Sequence, residues 1–100
     1  MIADHEMAQR EYRYEASART TDDLIARTDN PGPFLIEASR FFKQAAAATA
    51  QARATADHER QGAVLRIAAT LAEVAGCFLD CGFVELEQRR AAAALRRTLN

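Results

Sequence analysis

An all-α fold, an antiparallel helical bundle of three to four helices in a single domain over residues 1–100, follows from three observations on the sequence. Apolar residues recur at alternating intervals of three and four over long stretches, the period of a helix buried along one side. Both prolines fall in one segment, Asp29-Asn30-Pro31-Gly32-Pro33, and none follows it. No run alternates apolar and polar residues in the manner of a half-buried strand.

The first helix is expected over residues 3–28, with Met7, Tyr14, Ala18 and Ile25 on one face. Thr20-Thr21-Asp22-Asp23 in its middle has the character of a helix N-terminus, because a threonine oxygen can accept orphan amides and aspartates favour the positive helix end. A kink or restart is expected there. Residues 29–33 form a loop, since each proline pushes the residue before it out of the α region. Pro33 then suits the first turn of a helix over 34–56. Its stripe runs Phe34, Ala38, Phe41, Ala45, Ala48, Ala52 and Thr55, large at the proline end and alanine-lined at the other.

A further stripe, Val64, Ile67, Leu71, Val74, Phe78 and Cys81, is out of phase with the first. A helix–helix turn between about Thr55 and Gly62, capped by Thr55 or Asp57, accounts for the phase change and opens a helix over 60–80. A single helix through residues 34–80, its stripe drifting, is the alternative. Gly82 is expected to end that helix, and a last one spans 83–98 around Leu86, Leu95 and Leu99.

Large apolar side chains are scarce. The apolar 49% includes 23 alanines, each adding little buried area. At roughly 25 cal/mol per Å² such a core leaves little surplus over chain entropy, so dimerisation is expected to help complete it. Net charge is −1, which gives the whole chain no electrostatic reason to seek nucleic acid or anionic lipid. Arg89, Arg90, Arg96 and Arg97 do cluster without a carboxylate among residues 88–100. They lack interleaved aromatics for base stacking, and intramolecular or interhelical charge pairing, for which the acidic first helix is one candidate, is expected instead. Twelve arginines to one lysine, with the alanine content, fit a GC-rich bacterial or phage origin. A basic segment followed by an apolar run is missing at the N-terminus, and no ~18-residue unbroken apolar run occurs. A cytoplasmic protein with no membrane partner is the expectation, with Cys77 and Cys81 as thiols.

His5, His58, Cys77 and Cys81 match by count the donors of a structural zinc site. Their spacing is not that of a zinc knuckle, and both cysteines are expected in the core, with no metal and no cofactor. No Glu-x-x-His pair, phosphate-binding glycine loop or His-Glu-x-x-His occurs. His58-Glu59-Arg60-Gln61-Gly62-Ala63 resembles the motif of histidine phosphotransfer domains, in which a basic residue follows the histidine by three and a glycine by four. His58 and Gly62 match; Gln61 stands where the cation belongs and Arg60 lies one position off. The resemblance implies phosphoryl transfer through His58 on a small helical bundle.

The leading expectation is a non-catalytic helical module that binds a partner protein or itself, of the adaptor, chaperone or inhibitor type. Its contact residues are expected to be Phe34, Phe41, Phe42, Ala45, Ala48 and Ala52 on the alanine-rich helix face.

Overall fold

A computed structural model describes residues 2–100, in which three α-helices pack together: α1 (Asp4–Arg27), α2 (Pro33–Arg53) and α3 (His58–Leu99). No strand occurs among the described residues. Successive helices run in opposite directions. Arg53 at the end of α2 reaches Asp4 and Glu11 near the start of α1, at 3.5 and 3.4 Å. α2 lies between the other two and makes most of the interhelical packing.

α1 does not restart at Thr20. Thr21 is buried and its hydroxyl donates to the Ser17 carbonyl at 2.8 Å, so the side chain that could cap a new helix serves the existing one. α1 closes at Thr28, whose hydroxyl donates to the Leu24 carbonyl at 2.6 Å. The loop then turns through Asn30 at φ 54° and Gly32 at φ 83°. Gly32 is required by that left-handed backbone, and the end of the flexible Glu85 side chain rests against it. Pro33 opens α2, as its fixed φ and missing N–H suit a first helical turn.

The break between α2 and α3 falls at residues 54–57, which excludes one helix through 34–80. Asp57 is the cap; its carboxylate accepts from the Glu59 amide at 3.0 Å. Thr55 instead donates its hydroxyl to the Gln51 carbonyl. Gln61 locks the turn from the other side, its Nε2 donating to the Ala52 carbonyl at 2.9 Å and more weakly to that of Thr55.

The expected separation into helices 60–80 and 83–98 is corrected: α3 runs unbroken for 42 residues. Gly82 is a packing position. It is buried beneath Leu35, and a Cβ there would come within 2.9 Å of the Leu35 Cγ. The absent side chain lets α2 approach closely enough for Leu35 to be fully covered, while the helix continues because nothing beyond position 82 disfavours it.

The core has two centres. Met7, Ala52 and Leu65 bring all three helices together at one end, with Ile2 and Val64 packed against them. Ala18, Phe42 and Ala75 do the same farther along, flanked by Phe41 and Leu79. Shape follows from helix length. At about 1.5 Å per residue α3 is roughly twice as long as α2, and the described residues extend 64 × 18 × 16 Å.

Candidate protein-binding surface

Small residues decide which side of each helix is covered. Ala38, Ala45 and Ala52 of α2 are 0% exposed, and Phe42 is buried beside them. On α3 the buried row is Gln61, Leu65, Ala68, Ala75 and Gly82. This row lies one residue C-terminal to the stripe expected from the large apolar side chains. Alanine facing alanine and glycine lets two backbones come together, and the bulky residues are turned aside.

Of the six residues expected to bind a partner, Phe42, Ala45 and Ala52 therefore spend their surface inside the chain. Phe34, Phe41 and Ala48 are half-buried along one edge of α2. There Phe78 of α3 joins them, its ring stacked on Phe41 at 5.6 Å and 6.3 Å from Phe34. Val64, Leu71 and Val74 continue this edge, half-buried, along α3.

Turned away from the buried row and bordering that edge at Val74, α3 presents a second stripe at the same intervals of three and four. It runs from Ile67 to Thr98 through Val74, Cys81, Val84, Gln88 and Leu95 and includes no Asp, Glu, Lys or Arg. Ile67, Val84 and Leu95 are 56%, 53% and 60% exposed. The threonines on it are satisfied internally: Thr70 and Thr98 donate their hydroxyls to the Arg66 and Ala94 carbonyls, each at 3.0 Å. Cys77 and Cys81 belong to this stripe and are exposed free thiols, which corrects their expected place in the core. A core position was the natural inference for an apolar i, i+4 pair, but the covered side of α3 is the alanine side.

Beyond Leu86 no residue of α3 is buried, and only Ala93 is partly covered. The loop reaches as far as Arg89, which donates to the Asn30 carbonyl and pairs with Glu85 at 2.6 Å. Residues 90–99 project past α1 and α2 as an arm carrying Arg90, Arg96, Arg97, Leu95 and Leu99. Of the expected intramolecular pairing only that of Arg89 with Glu85 forms among the described residues, and none of the cluster meets α1, because the arm extends away from it. Arg90, Arg96 and Arg97 join no ion pair among the described residues.

Two charged links tie the covered side together. Ser39, almost fully buried, donates to the Asp22 carboxylate, and Lys43 meets the same carboxylate at 3.0 Å. The Ser39 hydrogen bond is the main reason the Asp22 carboxyl lies below its ordinary range, with Lys43 adding to it against some desolvation. Arg53 is held above its ordinary value chiefly by Asp4.

His58 is exposed and is the first residue of α3. It shares a hollow with Arg10, Gly62 and Arg66. His5 lies exposed in the first turn of α1, and no three His, Cys, Asp or Glu residues converge as a metal group among the described residues. α3 is long and apolar enough to cross a bilayer by length and composition, although Arg66, Glu73 and Asp80 interrupt it. Comparison with protein-family models, with curated proteins and with solved structures finds no match to this chain.

Proposed function

We propose that the chain is a non-catalytic helical interaction module, of the adaptor, chaperone or inhibitor type, whose contact surface is the outward side of α3 continued by the half-buried edge of Phe34, Phe41 and Ala48. The observation that carries this reading is the uncharged stripe from Ile67 to Thr98, exposed along a helix that outruns its own fold. Exposed apolar residues scattered singly need no explanation, but Ile67, Val84 and Leu95 lie on one uncharged row of a single helix, which is the anatomy of a binding surface. A bilayer is a poorer match for the same helix. Its most apolar 18-residue stretch would still bury Glu73 and Asp80, and a charge at the membrane centre costs about 2.5–3.5 kcal/mol. Two exposed thiols suit a reducing, cytoplasmic setting.

The experiment is capture with the native chain and with Ile67→Glu, whose side chain lies outside the core. The native chain retains a specific protein, another copy of itself included, and the variant loses it at unchanged helicity. A native chain that holds no partner and stays a compact monomer refutes the reading.

Phosphoryl transfer through His58 is a second reading, supported by the exposed ring and by Arg10 and Arg66 in the same hollow. The Gln61 side chain is committed to the α2–α3 turn and gives no help to a phosphoryl group. Absence of label on His58 from a small phosphodonor or a phosphorylated response regulator disposes of it.

A further inference from the structure

Resting on the interaction reading, we infer that the occupant of the outward α3 stripe is the same stripe of a second copy, laid antiparallel so that each basic arm covers the body of the other. Three observations support this. The first is length. From Ile67 to Thr98 the stripe spans about 47 Å at 1.5 Å per residue; at roughly 10 Å wide it offers about 500 Å² per copy, and two copies together reach the ~1,000 Å² that a specific interface needs.

The second is the arm. An isolated helix of about ten residues is marginal in water, yet residues 90–99 stand clear of α1 and α2 with Leu95 and Leu99 exposed. The stripe is symmetric about its middle, near Gly82 and Phe83. Turning a second copy around that point lays Leu95 of one chain on Thr70 of the other, and Val84 on Cys81, so large residues meet small ones in layer after layer. The Thr70 and Thr98 hydroxyls are already bonded to their own helix and so are not stranded in those layers, and Gln88 is the one amide the seam takes in, opposite Cys77.

The third is charge. Side by side in parallel, two arms would crowd six arginines with no carboxylate among residues 88–100. Antiparallel, the two arms are carried to opposite ends of the pair, which keeps their arginines apart.

The test uses the full chain. Light scattering at tens of micromolar gives twice the 11.0 kDa chain mass. Val84→Glu, at a position 53% exposed, weakens the dimer by about tenfold or more by burying a carboxylate in the seam. Its far-UV circular dichroism per residue stays that of a folded helical chain. Orientation is read with Cys77→Ser and Cys81→Ser as background and single cysteines from Thr70→Cys and Leu95→Cys on separate copies. Oxidation links one variant to the other in a mixture. Each variant linking only to itself overturns the antiparallel arrangement. A dimer indifferent to Val84→Glu overturns the seam. A monomeric native chain overturns self-pairing altogether; if that monomer captures another protein through Ile67 the interaction reading survives, and if it instead sediments with anionic vesicles a membrane surface is the occupant.

Discussion

Gly76 and Gly82 offer the same substitution twice in one helix with opposite consequences. Both lie within α3, so replacing either by alanine gains about 0.5–1 kcal/mol of helix stability from the lost conformational freedom of glycine. At Gly76 a Cβ meets no heavy atom within 4 Å, and that gain is the whole effect. At Gly82 the new methyl would lie 2.9 Å from the Leu35 Cγ and nearer still to one of its methyls. Leu35 is 0% exposed and has no solvent side to retreat to. Overpacking a filled core costs about 1–3 kcal/mol. The propensity gain is common to both variants, so their difference isolates the steric cost at about 1–3 kcal/mol, or roughly 4–8 °C in Tm per kcal/mol for a chain of this size. Urea titration of Gly76→Ala and Gly82→Ala at one fixed protein concentration measures it, with Leu35→Ala added to Gly82→Ala to show relief. Equal stabilisation by both substitutions would refute the spacing role of Gly82 and with it the close α2–α3 approach.

Three further outcomes follow from contacts on the covered side. Asp57→Ala removes the α3 cap and lowers stability by about 0.5–2 kcal/mol in denaturant titration, whereas Thr55→Ala changes it less. Gln61→Ala removes the side-chain bond across the turn while the Ala52 carbonyl keeps the Thr55 amide at 3.1 Å, and costs about 0.5–1.5 kcal/mol, read from the urea midpoint. Because the folded-state pKa of Asp22 is depressed, the unfolded chain binds the proton more tightly; the stabilisation is present above an ordinary carboxyl pKa of about 3.9 and is lost as pH falls through the lower folded value. Ser39→Ala shrinks this acid-dependent component, seen as a flatter fall of Tm below about pH 4 and an Asp22 carboxyl titrating closer to its ordinary range by NMR.

The loop around Pro31 and Pro33 and the break capped by Asp57 were legible in the sequence, since both depend on backbone chemistry local to a few residues. The role of Gly82 was not. Glycine ends helices or admits a neighbour, and only the neighbour, Leu35 from 47 positions earlier, distinguishes the two. Thr21 misled for the same reason, because a threonine hydroxyl serves equally as a cap and as a donor to its own helix. The binding surface was half visible. Phe34, Phe41 and Ala48 do line an open edge, while Phe42, Ala45 and Ala52 turned out to be the material with which the chain packs on itself.

The sequence by itself determined that this protein is helical, where its first loop falls and that its large apolar residues are few. Periodicity and proline placement are properties of single segments, and no tertiary contact is needed to express them. Which side of each helix turns inward was decided only in the folded chain. Alanine and glycine allow helices to approach more closely than large residues do, so the small stripe was buried and the large one displaced to the edge and the outside. That choice leaves α3 with an uncharged outward row and an unsupported arm, the features on which the proposed interaction rests.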